Sequence, residues 1–184
     1  MNHVPMRLKA REVTNVDFIE EMLGLFDTCH VGMFDDDGYP YVVPMNFGYE
    51  RTDTSFIFYF HFAKQGHKVD LLKANPKVCL NMSAFQDFPE DRLNGHKHDY
   101  RSVIAKGEMR LIEQDEEELY LHAHEVLMVT NGRPFDKEAR RGKMPPLYIG
   151  IVECPFENVR AKSEFPIETI EDVHFKKLGR MKNL

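Results

Sequence analysis

The stretch Phe60-His61-Phe62-Ala63-Lys64-Gln65-Gly66-His67-Lys68 marks the place where an aromatic β-strand gives way to a short helix. Residues 56–62, which lead into it, are short, apolar and aromatic, a composition that favours a buried strand over an isolated helix. Gly66 breaks this pattern, and the apolar spacing that follows predicts a helix over residues 67–73. Asn75-Pro76 should end that helix, because the residue before a proline disfavours the helical conformation.

Three basic side chains, Lys64, His67 and Lys68, lie within five residues of one another at this junction. The first turn of a helix offers unpaired N–H groups and a partial positive charge, which suits a phosphate. The lysines would add the compensating charge that a doubly negative phosphate requires. The pattern therefore indicates an anion site, although a solvated loop with ordinary surface lysines is the alternative.

Two neighbouring stretches add features of a ligand pocket. Residues 40–46 form an apolar segment with Pro44 inside it, and a proline cannot donate a hydrogen bond to a sheet ladder. We therefore expect an edge, a bulge or a ligand in place of a neighbouring strand at Pro44. The segment Tyr100-Arg101-Ser102-Val103 opens another strand and supplies a hydroxyl and a guanidinium. Together with the aromatic strand, these stretches predict a pocket for a flat heteroaromatic molecule.

The rest of the chain reads as mainly β. Further strands are predicted over residues 29–34, 39–49, 77–85, 101–113 and 148–154, and helices over 15–27, 115–129 and 168–178. Six or seven strands at turn-bounded spacing, with few helices between them, point to an antiparallel β-barrel with flanking helices rather than a parallel sheet. No linker divides the sequence, so we expect one domain over residues 1–184, with a C-terminal tail from about 165.

Composition narrows the classes of function. The chain has 24 Lys and Arg residues and 30 Asp and Glu residues, which gives a net charge of −6. This negative charge argues against nucleic acid as the main partner. We expect neither a membrane span nor a secretory leader, since no apolar run is long enough. Cys29, Cys79 and Cys154 are widely spaced and lack a C-x-x-C motif, which predicts reduced thiols and a cytoplasmic location.

Several common sites have no sequence signature here. The chain contains no G-x-G-x-x-G, no phosphate-binding G-x-x-x-x-G-K-[ST], no G-x-S-x-G and no H-E-x-x-H. The pairs His96/His98 and His122/His124 lack further ligands at zinc spacing, so no metal site is predicted. A basic cluster could meet the phosphates of a nicotinamide dinucleotide or a partner subunit, or could be a plain exposed loop. Its members are Arg133, Lys137, Arg140, Arg141 and Lys143.

Four ordered motifs together resemble the pyridoxamine 5′-phosphate oxidase-like family of FMN-binding split barrels, in the branch related to nitroimidazole-resistance proteins. The first is Gly38-Tyr39-Pro40-Tyr41-Val42-Val43-Pro44-Met45-Asn46-Phe47-Gly48-Tyr49. The second consists of His61, Ala63, Gly66, Lys68, Asp70 and Leu72. Asn75-Pro76-Lys77-Val78 is the third, and the fourth is Tyr100-Arg101-Ser102-Val103 with Gly107. The resemblance covers roughly residues 7–160.

The resemblance implies an FMN-binding split barrel and a homodimer with FMN at the subunit interface. It assigns three residues to the flavin ring, two to the phosphate and two to closing the site, and places His61 beside the ring as the candidate catalytic residue. The residues assigned to the flavin ring are Pro44, Met45 and Asn46. Those assigned to the phosphate are His67 and Lys68, and those that close the site are Ser102 and Val103. The family often has arginine where His67 stands, so phosphate binding could be weaker or pH-dependent.

The implied activity is that of an FMN-dependent oxidoreductase, similar to a flavin reductase or nitroreductase. NADH, NADPH or another donor would reduce the flavin at N5, and electrons would pass to a small flat acceptor such as a nitroaromatic or quinone. A flavin-binding or storage protein without turnover is one alternative, and a binder of haem or a deazaflavin is another. Pyridoxamine 5′-phosphate oxidation is less expected, because the R-x-H substrate motif is absent from residues 174–180.

Overall fold

A computed structural model describes residues 6–87 and 98–175. The chain folds into two compact units. Of the described residues, the central unit comprises 27–81 and 105–159, and the terminal unit comprises 6–26, 82–87, 98–104 and 160–175. The single domain expected over residues 1–184 stays a prediction.

Nine strands and four helices occur in the described part of the chain. In chain order they are β1 (Glu12–Val13), α1 (Val16–Leu23), β2 (Cys29–Phe34), β3 (Pro40–Met45), β4 (Gly48–Arg51), β5 (Ser55–Ala63), α2 (His67–Ala74), β6 (Lys77–Asp87), β7 (His98–Ile112), α3 (Glu117–Thr130), α4 (Lys137–Arg140), β8 (Leu147–Pro155) and β9 (Val159–Ser163). The strands hydrogen-bond in the order β3-β2-β6-β7-β8-β5-β4, and β9 pairs with β1 and β7. The predicted mainly β, antiparallel fold is thereby confirmed, with more strands than expected.

The single strand predicted over residues 39–49 is in fact two strands with different partners. β3 pairs antiparallel with β2, whereas β4 pairs antiparallel with β5. Between them Phe47 is buried and the side chain of Asn46 donates to the carbonyl of Asp27 at 3.3 Å. The chain must change partner here, and apolar alternation alone does not reveal such a switch. The one-strand prediction was therefore wrong.

Helix α3 packs on the central unit through a small apolar cluster. Its buried members are Tyr59, Ile112, Tyr120, Ala123, Leu127 and Ile149. The hydroxyl of Tyr120 also hydrogen-bonds to the carbonyl oxygens of Pro145 and Leu147, at 2.8 and 3.1 Å. These contacts hold α3 against β5 and β8, and so fix the residues that follow it, including Asn131 and Arg133.

The junction between the aromatic strand and the short helix folds as predicted. β5 ends at Ala63, and α2 begins at His67 after Gly66, which caps it with a φ of +117°. That backbone conformation favours glycine because it has no Cβ. Val69, Leu71 and Leu72 are buried, while Lys68 lies in the first turn.

The terminal unit contains the β1–β9 pair and α1. The side chain of Asn15 accepts hydrogen bonds from the first turn of α1, as predicted, but the helix ends at Leu23 rather than near residue 27. Arg101 and Asp99 form a buried ion pair, and Arg101 also donates to the carbonyl of Val173 at 3.0 Å. Residues 168–175 form turns instead of the predicted helix, and residues 176–184 lie outside the described part.

None of the described helices has the length and apolar character needed to cross a bilayer.

Candidate functional site

A cavity of about 290 Å³ opens in the central unit, and we call it the Lys68 cavity. Its lining residues are Thr28, Pro44, Met45, Asn46, His61 and Lys68. Five of these six were selected from the sequence as site residues, although they come from three separate segments. Thr28 was missed, since a lone threonine before a strand carries no motif.

Pro44 reaches the cavity from an edge strand. β3 stands at one end of the strand order, where it pairs with β2 and places Pro44 opposite His30. An edge strand has unpaired backbone groups along its free side, and proline is tolerated there because it needs no ladder partner. Of the three situations that the sequence left open for Pro44, the structure shows the edge.

Two of the three basic side chains at the β5–α2 junction are paired with carboxylates. Lys64 forms an ion pair with Glu113, which raises the pKa of Lys64 and lowers that of Glu113. His67 Nε2 lies 2.6 Å from a carboxylate oxygen of Asp35, and this hydrogen bond raises the pKa of His67. Neither residue lines the Lys68 cavity. Their predicted contact with a phosphate stays a prediction, and a phosphate would have to compete with these carboxylates.

Lys68 is the basic side chain that faces the cavity without a carboxylate partner in the described segments. Its ammonium group lies 5.2 Å from the centre of the Phe62 ring, a cation–π contact that leaves its hydrogen-bond donors available. It also belongs to the first turn of α2, where the Val69 and Asp70 N–H groups already donate to the carbonyl of Gly66, at 2.8 and 3.3 Å. The positive charge available to an anion in this cavity is therefore concentrated at Lys68.

His61 projects from β5 and meets a second histidine. The centre of its ring lies 5.7 Å from that of His124 on α3, at an angle of 63°. Burial and the charge of Arg133 lower the pKa of His61, and burial lowers the pKa of His124 to about 4. The Nδ1 atoms of both rings are buried and have no hydrogen-bond partner within residues 6–87 and 98–175. Both imidazoles are thus neutral near pH 7.

A second, smaller cavity of about 50 Å³ adjoins this histidine, and we call it the His61 recess. It is lined by Asn46, His61, Leu127, Met128, Asn131 and Arg133. Asn46 and His61 line both cavities, so the two spaces are neighbours. Sequence reasoning missed Asn131 and noted His124 only as one member of a histidine pair, because only the packing of α3 brings them near β5. Arg133 was noted only as one member of a basic cluster.

Ser102 and Val103 belong to the terminal unit, where Val103 is fully buried in β7. Their predicted role in closing the flavin site stays a prediction. Within the described segments, no group of three or more His, Cys, Asp or Glu side chains is placed to hold a metal ion. His96, one member of the histidine pairs, lies outside the described residues.

Comparison with known proteins gives one family match. The family model described as "Pyridoxamine 5′-phosphate oxidase" matches residues 15–156. A solved structure from Bacteroides thetaiotaomicron, named for 5-nitroimidazole antibiotic resistance, is 27% identical with a TM-score of 0.64. The match covers 83% of this chain and 86% of that one. None of the curated proteins matches the sequence.

Two more distant structures share the fold. The flavocytochrome Anf3 from Azotobacter vinelandii is 19% identical with a TM-score of 0.61, over 95% of this chain and 79% of that one. The FAD- and haem-binding protein from Mycobacterium smegmatis is 17% identical with a TM-score of 0.59, over 89% and 78%. Similarity at this level supports the split-barrel fold class that the motifs predicted.

Proposed function

Because the chain belongs to the pyridoxamine 5′-phosphate oxidase family, we propose that it binds FMN at the Lys68 cavity and acts as a flavin-dependent oxidoreductase. The observation that carries the proposal is that Lys68 lines the cavity and its ammonium group has no carboxylate partner among the described residues. The other lining residues suit an aromatic ring. A donor such as NADH or NADPH would reduce the flavin. A small flat acceptor, such as a nitroaromatic or quinone, would reoxidise it.

The residues of the cavity fit FMN in three respects. Lys68 supplies a charge for the phosphate, and the free edge of β3 offers backbone groups to a heteroaromatic ring. His61 also lines the cavity, and its imidazole can hydrogen-bond to a polar ligand atom. The cavity volume of about 290 Å³ is just below the usual range for ligand pockets, roughly 300–1,000 Å³.

A homodimer would enlarge this site, and we include it in the proposal. Three large apolar side chains on the β2–β3 hairpin are exposed: Phe34, Tyr39 and Val42, at 65%, 75% and 53%. Such a patch on one hairpin is typical of a surface that another protein covers. A second copy seated there would add a wall near β3, in line with FMN bound at a subunit interface.

The protein's own contribution to the reaction would be binding, orientation and proton exchange. FMN, when bound, would supply the redox chemistry, by which two electrons move from a donor to an acceptor. Lys68 would hold the phosphate, while Pro44 and Met45 would present apolar surface that keeps water away from the ring. His61, neutral near pH 7, lines the cavity, and its imidazole would hydrogen-bond to an acceptor there and exchange a proton with it.

The cysteines agree with a cytoplasmic location, which we also propose. Cys29, Cys79 and Cys154 are all free, and burial raises the pKa of Cys29 and Cys154 to about 12. Buried thiols with such high pKa values are unreactive. Free thiols are typical of proteins in a reducing compartment.

A spectrum of the protein as isolated, followed by release and identification of the chromophore, tests the cofactor. We expect a yellow protein that releases FMN. NADH or NADPH under anaerobic conditions should bleach the colour, and a nitroaromatic should restore it. Stable colour in the presence of every donor would instead indicate a flavin store, and a haem spectrum would contradict the proposal.

Replacing His61 with Ala should lower the rate of acceptor reduction by roughly 10²-fold, the lower end of the range for general acid–base catalysis. FMN should remain bound, since Lys68 is untouched. Stopped-flow reoxidation of the reduced protein by a nitroaromatic measures the effect. His61→Gln is the matched variant, because it keeps a polar side chain but cannot exchange a proton as imidazole does. An unchanged rate in both variants would leave His61 only a packing role.

A further inference from the structure

The His61 recess is the right size for a small planar group. Its volume is about 50 Å³, whereas one buried water needs roughly 10–15 Å³. Benzene occupies an engineered cavity of about 150 Å³, so an aromatic ring is too large. The recess therefore has room for a group of a few heavy atoms, such as a carboxylate.

Arg133 gives the recess a positive charge that no other described group neutralises. Its side chain is exposed and forms no hydrogen bond or ion pair within the described part of the chain. Arg141, in the same segment, pairs instead with Glu117, Glu118 and Glu138. An unpaired guanidinium at a cavity suits a carboxylate, because its N–H groups can bind both oxygens at once.

Two other polar side chains shape the same space. The amide nitrogen of Asn131 donates to the carbonyl oxygens of Phe47 and Leu127, at 3.0 and 2.7 Å, which fixes the end of α3 beside the recess. His61 Nδ1 is buried without a partner in the described segments, and an orphaned buried nitrogen costs free energy. The His61 ring itself lines the recess, so a ligand there can contact the imidazole.

We propose that the His61 recess binds the carboxylate of an anionic, planar electron acceptor, with Arg133 holding the carboxylate and His61 contacting the same molecule. The inference rests on the proposed function, because it specifies the substrate class of that site. Asn46 and His61 also line the Lys68 cavity, so the remainder of the acceptor would lie next to the bound flavin.

Equilibrium binding of benzoate and of neutral benzamide to the FMN-loaded protein tests the proposal. Perturbation of the visible absorption of the flavin reports binding of either ligand. The wild type should bind benzoate more tightly than benzamide. Arg133→Gln should weaken benzoate about tenfold, the lower end expected for a charge-assisted contact at an exposed side chain, and change benzamide less than about twofold.

Lys143→Gln is the matched control. Lys143 lies in the same segment, is exposed and does not line the recess, and its ammonium group hydrogen-bonds to the carbonyl of Ala139 at 3.4 Å. This variant removes the same charge but should leave both affinities unchanged. Equal weakening of benzoate by the two variants would mean a diffuse charge effect and would overturn the proposal. So would a wild type that does not prefer benzoate.

A titration without flavin separates this inference from the proposed function. In the flavin-free protein, an NMR titration of the His61 imidazole should show a higher pKa in Arg133→Gln, since Arg133 lowers that pKa. Benzoate should raise the pKa of His61 in the wild type but not in Arg133→Gln. A protein that binds no FMN yet responds in this way would refute the flavin proposal alone. A His61 pKa unaffected by benzoate would refute the recess proposal alone.

Discussion

Replacing Lys68 with Ala should weaken FMN binding about 10- to 150-fold, which corresponds to the loss of a charge-assisted hydrogen bond of about 1.5–3 kcal/mol. The reason is that Lys68 is the basic group lining the cavity that has no carboxylate partner among the described residues. Isothermal titration of the flavin-free protein with FMN measures the effect. Riboflavin, which lacks the phosphate, should bind the variant and the wild type equally.

Two further lysines provide the controls for this result. Lys73→Ala removes the same charge from the last turn of the same helix, where the ammonium group lies 5.4 Å from the Tyr148 ring, and should leave FMN affinity unchanged. Lys64→Ala should have a smaller effect than Lys68→Ala, because Lys64 is already paired with Glu113. Equal losses of FMN affinity in Lys64→Ala and Lys68→Ala would support the sequence prediction that both lysines bind the phosphate. No loss in Lys68→Ala would remove that residue from the site.

The elements at the β5–α2 junction could be predicted because their causes are local. Aromatic and β-branched residues favour the strand, and Gly66 permits the positive φ at the start of the helix. Lys68 and His61 were found in the same way, from short motifs. The carboxylate partners of Lys64 and His67 were not found from the sequence. Glu113 is 49 positions from Lys64, and Asp35 is 32 positions from His67. Charge patterning along one segment carries no information about such pairs.

The His61 recess lay beyond sequence reasoning for a related reason. Asn131 and Arg133 follow α3, and they reach β5 only because that helix packs against it through Tyr120 and Leu127. β4 also lies close to α3, a contact with a helix that comes much later in the chain and that the local pattern does not reveal.

Replacing Gly48 with Ala should lower the free energy of unfolding by about 1–3 kcal/mol, the usual cost of overpacking. A Cβ at this position would lie 2.8 Å from Leu127 Cα and 2.9 Å from Leu127 N. Both are backbone atoms of α3, so no side chain can rotate away, and the helix or β4 must shift. Chemical denaturation followed by circular dichroism measures the loss.

Gly32→Ala is the matched control for this effect, because Gly32 also lies in a strand but has room for a methyl group. A Cβ there would meet the carbonyl oxygen of Cys79 at 3.4 Å, an ordinary van der Waals distance. Gly32→Ala should therefore be neutral or slightly stabilising, since alanine has less freedom than glycine in the unfolded chain. If Gly48→Ala unfolds at the same denaturant concentration as Gly32→Ala, α3 does not pack this closely on β4. The placement of Asn131 and Arg133 beside His61 would then lose its structural basis.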